Sequence, residues 1–289
     1  MLHRREKTCS RGVEDPDIGK GVYERHAMAM LELPPWLLGT FFMVVAAFAG
    51  TVPFYLLRRR WPREVPQESR ELGAQVALRV SVLYSVILGM VFADVQNSYN
   101  DVRLNVQREA TELIGVFTML ELLSSREARD LQSGILEYVH EVVNVEWPTL
   151  GSTEISLAPG KLLAEIHLKV IELPRHDASS DSVRESVLAG IEEVKRLHRS
   201  QVVASLNRVP YLFWWVVVIG FVVIGALFMV FRPTMLNMVL VSAFSAMTGI
   251  VLFFIFAMSN PFSGPARIEP TPFGIFIDKA GARVGVTES

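Results

Sequence analysis

Glu137 and His140 stand three residues apart, the spacing that sets a carboxylate and an imidazole on one helix face, as in the di-iron sites of helical bundles. A complete site of that kind needs a second Glu-x-x-His and two further glutamates, and the second pair is absent. The pair therefore reads as a solvated or hydrogen-bonded helix face. His167, His176 and His198 have no partner at ligand spacing, and no HExxH, GxSxG, Walker or dinucleotide-binding pattern occurs. Cys9, the only cysteine, excludes an intrachain disulfide or thiolate metal site. No catalytic residue, cofactor or metal is expected, and the sequence argues against an enzyme.

The remaining chemistry is a charge in an apolar setting. Arg79 lies inside the apolar run Leu72 to Val95, where an ionisable side chain is costly and commonly marks an ion path. On a helical wheel of about 3.6 residues per turn, Gln75, Arg79, Val82, Val86, Ala93 and Asn97 share one stripe, with Gly89 and Met90 on its margins. The stripe is polar at both ends and apolar between. A ring of such helices would enclose a basic vestibule, a hydrophobic constriction able to gate by dewetting, and a polar exit. The competing reading is that Arg79, about 10 Å into the span at 1.5 Å per residue, snorkels back to the headgroups. Ser85, Gly89 and Ala93 are small residues four apart, as are Ser242 with Ala246 and Ser245 with Gly249, and such spacing lets helices approach closely. It serves either packing within one chain or contact between subunits. Asp94 and Asp101 lie off the stripe.

These residues need elements to carry them. The chain has 289 residues, 51% of them hydrophobic and 20% charged. Leu33 to Leu57, Leu72 to Val95, Tyr211 to Phe231 and Met235 to Met258 are each long enough to cross the hydrocarbon, which takes about 20 residues. The expected fold is all-α: a polytopic membrane protein with four transmembrane helices and a helical bundle inserted between the second and third. By domain, residues 1–32 form a polar leader, 33–96 the first two spans, 97–209 the bundle, 210–258 the last two spans, and 259–289 a Pro-rich tail. Met28 and Met30 within the leader are candidate translation starts. A net charge of −2, from 28 basic and 30 acidic residues, gives no field for nucleic acid.

No proline occurs between Gln67 and Trp147, so the second span is expected to continue as one helix toward Leu123. Ser124 with Glu127 and Ser182 with Glu185 have capping-box spacing and mark helix starts. Pro148 is expected to end the first of these helices, and "KLLAEIHLKVIEL" to form a short one. Val183, Val187, Ile191 and Val194 give the last bundle helix an apolar face. The prolines of the tail predict an extended segment anchored by Phe262, Phe273 and Phe276. Arg58, Arg59, Arg60, Arg63 and Arg70 cluster between the first two spans, and Arg232 lies between the last two. The positive-inside rule makes these links cytoplasmic and the bundle extracytoplasmic in a multi-pass protein of the cell (inner) membrane.

"LYSVILGMVFADVQNSYNDVRLNVQREATEL", then "EWP" at Glu146 to Pro148, then "PYLFWWVVVIGFVVIGALF" and finally "NPFSGPARIEPTPF" resemble, in that order, the bacterial bestrophin-like membrane proteins of unassigned function. The resemblance covers about Ala74 to Phe273 and implies four spans with a helical insert after the second. Bestrophins proper are pentameric anion channels lined by the second span with aromatic neck residues. Here the neck positions are Val82, Val86 and Ala93, while Tyr84 and Phe92 point elsewhere, and the tail offers only Glu269 and Asp278 toward an acidic calcium clasp. The corresponding bestrophin domain is cytoplasmic, opposite to the charge-based placement. The expected function is passive conduction of small inorganic ions, chiefly anions, by a homo-oligomer in the lipid bilayer. The alternative is a non-conducting membrane scaffold or sensor whose bundle binds a partner.

Overall fold

The computed structural model describes residues 34–60, 65–123, 125–150, 156–173, 178–206 and 209–287. The leader with its candidate starts, together with Ser124 and His176, lies outside them. The described residues are helical with no strand: α1 (Pro35–Arg60), α2 (Gln67–Leu123), α3 (Arg126–Glu141), a π turn (Val142–Glu146), α4 (Trp147–Thr149), α5 (Ala158–Glu172), α6 (Ala178–Leu206), α7 (Tyr211–Phe228), α8 (Met235–Met258) and α9 (Thr271–Thr287).

Helix α2 is continuous over 57 residues, about 85 Å at 1.5 Å per residue. Three helices, α1, α2 and α8, are long and apolar enough to cross a membrane. Helix α7 is apolar but shorter. Met229, Val230 and Phe231 carry the apolar run on outside the helix, because Arg232 and Pro233 follow and proline cannot extend a helix. The third apolar run, expected to reach Phe231, is thus helical only to Phe228.

Helices α1 and α8 pack along their length. A methyl built on Gly249 would lie 2.6 Å from the Phe42 carbonyl oxygen and 2.6 Å from Ala46 Cβ. Ser245 is buried against Gly50. Tyr84 fastens α2 to α7: its buried hydroxyl donates to the Val217 carbonyl at 3.2 Å, which gives the polar tip of an otherwise apolar ring its partner.

The bundle core forms where α2 meets α6. Val106, Leu113, Val116 and Leu120 of α2 share one buried cluster with Val187, Ile191 and Val194 of α6, Ile135 and Val139 of α3, and Ile166 and Val170 of α5. Phe262, Phe273 and Phe276 are buried in the same cluster, so the aromatic anchors of the tail hold as expected. The tail itself differs, because it is helical from Thr271, with Pro272 in the first turn, where a missing N–H costs nothing.

Other boundaries also shift. The cap of α3 is Ser125, whose Oγ accepts from Ala128 N at 3.1 Å, one residue beyond the expected Ser124. Helix α6 begins at Ala178 and already contains Ser182. The helical run stops at Thr149, one residue past Pro148. The turn before the proline widens to π geometry and Trp147 N–H reaches back to Val142 O. An α-helical Pro148 would leave the Asn144 carbonyl unpaired and press its ring against it, and a wider turn relieves both conflicts.

Candidate functional site

Two features set this chain apart from an inert helical assembly: the open face of α2, and a polar cluster in the bundle core. In its apolar stretch α2 buries Ala77, Tyr84, Leu88 and Val95, and beyond that stretch Val102, Val106, Leu113 and Val116. These recur at helical spacing and define one inward face throughout. The opposite face is exposed among the described residues. Gln75, Arg79, Val82, Val86, Gly89, Met90, Ala93 and Asn97 are all exposed, Val82 and Val86 at 54% each and Met90 at 70%.

The same face runs on past the apolar stretch through Leu104, Arg108 and Thr111, also exposed. Ser85 is exposed with its hydroxyl turned to Ser81 O, and a methyl on Gly89 would meet nothing within 4 Å. Ser242 and Ala246 are half-buried in α8. Phe92 turns toward α8, its ring 6.4 Å from that of Phe254. Asp94 and Asp101 are exposed.

The second feature is built from four elements: α2, α3, the π turn and α6. Glu109 of α2 is fully buried, accepting from Tyr138 Oη of α3 at 2.6 Å and from Gln201 Nε2 of α6. Glu146, the last residue of the π turn, is 1% exposed, and His198 Nε2 of α6 lies 3.6 Å from its Oε1. The rings of Tyr138 and His198 meet edge to face at 6.0 Å. Next along the chain, Trp147 Nε1 donates to Ile268 O at 3.1 Å and its ring stands edge-on to Phe262 and Phe273, tying the tail to the turn. π turns recur at functional sites.

Burial sets the electrostatics here. Desolvation pushes the Glu109 carboxyl up to about 8, against the smaller opposing pull of its bond from Tyr138. Desolvation, then the charge of Glu141, pushes Glu146 up to about 7. His198 is pushed down to about 4 by burial, so it is neutral at pH 7. Tyr138 is raised well above its ordinary value by the same burial.

Sequence reasoning passed over this cluster because the hydrogen-bond partners of Glu109 lie 29 and 92 residues away. A signal was nonetheless present. Glu109 falls on the apolar stripe of α2, between Val106 and Leu113, and His198 and Gln201 extend the stripe Val187, Ile191, Val194 at spacings of four and three. A polar residue on a buried stripe must have a partner there. Glu137 and His140, by contrast, are exposed on the bundle surface, and no group of three or more metal-ligating side chains occurs among the described residues.

A long helix with an open apolar face, three membrane-spanning candidates and a helical bundle define an all-helical membrane protein. The bestrophin-like domain is matched over residues 41–273, and the chain belongs to that family. Among solved structures, a membrane protein carrying a proline-to-alanine substitution is similar at a TM-score of 0.59 and 10% identity, over 84% of this chain and 96% of that one. A bacterial bestrophin homologue from Klebsiella pneumoniae with a leucine-to-threonine substitution is similar at 0.58 and 10%, over 85% and 97%. At this identity the likeness is one of fold. No curated protein matches the chain by sequence.

Proposed function

We propose that the chain is a passive anion channel: a homo-oligomer whose copies turn the open face of α2 toward a shared axis. The observation that carries the reading is the consistent inward face of α2, which leaves Val82 and Val86 exposed inside an apolar span. Membership of the bestrophin-like family supports it. In this arrangement Val82, Val86 and Met90 form the constriction, whose apolar walls favour dewetting. Arg79 at one mouth and Arg108 beyond the other supply positive charge, which raises the local concentration of anions.

Residues 33–96 and 210–258 then supply four spans. Helix α7 closes the count because its 18 residues rise about 27 Å, close to the ~30 Å of hydrocarbon. Residues 97–209 form the bundle and 259–289 the tail that completes its core. The basic link at Arg58 to Arg70 lies on the cytoplasmic side, and the bundle opposite.

A cysteine at Val86, in a Cys9→Ser background, tests the pore face. Modification by a charged thiosulfonate should block chloride flux in liposomes, whereas modification at Ile87, roughly 100° around the helix, should not. Equal block at both positions, or no flux from a clean oligomer, would refute the reading. The latter result would favour a scaffold whose bundle binds a partner.

A further inference from the structure

The bundle core contains two carboxyl groups that packing does not require. Glu109 and Glu146 are both at most 1% exposed, and an ionised carboxylate left in an apolar interior without a cation costs several kcal/mol. Among the described residues no lysine or arginine is hydrogen-bonded or ion-paired with either carboxyl. The charge that acts on Glu109 is Glu146, and the charge that acts on Glu146 is Glu141. From α3 the cluster receives Tyr138, and from α6 His198 and Gln201. Helix α5 carries His167, which is engaged by Lys195 and Glu192. In the C-terminal segment Arg267 and Glu269 are exposed and face each other at 3.5 Å, while the backbone beside them takes the Trp147 N–H.

The hydrogen bonds tolerate both states of Glu109. A phenol both donates and accepts, and an amide presents either its NH₂ or its carbonyl after a half-turn. Glu146 is different, because neither of its oxygens has a hydrogen-bond donor among the described residues. An ionised carboxylate with no donor is disfavoured in such a place, whereas a protonated one has only a single charge-free hydroxyl to satisfy.

We propose that Glu109 and Glu146 form a buried proton-binding site that fastens α2 to the bundle, and that loss of its proton loosens this attachment. The upward displacement of both carboxyls agrees with the geometry. When both ionise, like charges share one apolar core, and the cheapest relief is to admit water between α2, α3 and α6. Glu109 rides on the same uninterrupted helix as Asn97, about 18 Å away at 1.5 Å per residue. A shift of α2 at the cluster therefore reaches the end of the apolar span. This inference goes beyond conduction and does not depend on it.

Amide hydrogen exchange of the full-length protein in detergent tests it without any flux measurement. Wild type and Glu109→Gln are compared at the same pH, which cancels the intrinsic exchange rate, in peptides covering 110–123 and 199–206. At pH 6 the two should exchange alike. At pH 9 wild type should exchange about tenfold faster, as one pH unit above the site's midpoint implies, while the amide, which cannot ionise, stays protected. Glu146→Gln provides a second variant should the first fail to fold, with the same expectation. A ratio that is equal at both pH values in the variants that fold would overturn the proposal.

Discussion

Substituting Gly249 by alanine probes the packing of the membrane helices directly. The added methyl would stand 2.6 Å from the Phe42 carbonyl oxygen, 2.6 Å from Ala46 Cβ and 3.2 Å from Met43 Cα. Ordinary carbon contacts begin near 3.5 Å, so α1 and α8 must part by roughly 1 Å. Two of the three atoms are backbone, and no rotamer change relieves them. Overpacking of this kind costs about 1–3 kcal/mol, offset by about 1 kcal/mol of helix propensity gained when glycine becomes alanine. Gly225→Ala is the matched control, since nothing lies within 4 Å of its methyl and the residue borders a cavity of about 200 Å³ between α1, α7 and α8. The difference between the two variants therefore isolates the steric term. At about 2–4 °C per kcal/mol for a chain of this order of size, Gly249→Ala should melt about 2–12 °C below Gly225→Ala in detergent, followed by tryptophan fluorescence. Equal melting of the two variants would refute the close approach of α1 and α8.

Three further outcomes are expected. Stability should be highest in mildly acidic solution, at about pH 5, and should fall as pH rises toward 8 in melts from pH 4 to 9. Glu109, raised to about 8, contributes stability that is full below its unfolded value of 4.5 and is lost as pH rises through 8. His198, lowered to about 4, contributes stability that is full above 6.5 and is lost as pH falls through 4; a profile that is flat over the whole range would contradict both assignments. Phe273→Ala, which empties a fully buried site against Trp147, should cost about 3–5 kcal/mol, and a cost under 1 kcal/mol in denaturant unfolding would mean that the tail is not part of the core. A single cysteine at exposed Ser133, in a Cys9→Ser background, should react with an impermeant maleimide on intact cells, since the charge rule puts the bundle outside. Reaction only after lysis would reverse the orientation.

What was legible in the sequence follows from local physics. The continuity of α2 could be read because no proline interrupts Gln67 to Trp147, and the anchors of the tail because three phenylalanines have nowhere else to go. The cap of α3 was misplaced by one residue, since Ser124 and Ser125 are adjacent and both offer a hydroxyl. The π turn was not legible: a proline inside a helix predicts an ending, and nothing local in the sequence says that the turn before it will widen to relieve the clash. The open face of α2 was legible from its periodicity alone. The cluster of Glu109, Glu146 and His198 was not, because no rule of spacing connects residues on separate elements, although Glu109 and His198 each stood as a polar residue on an apolar stripe.

The central claim concerns what the open face of α2 does in the membrane. The most direct test is chloride efflux from liposomes containing purified protein, once light scattering has established the oligomeric mass, with Arg79→Gln alongside wild type. The account predicts an oligomer that passes chloride, and a variant of the same mass whose rate or anion preference is altered. Identical efflux from both proteins, or none from an intact wild-type oligomer at any potential or pH, would contradict it.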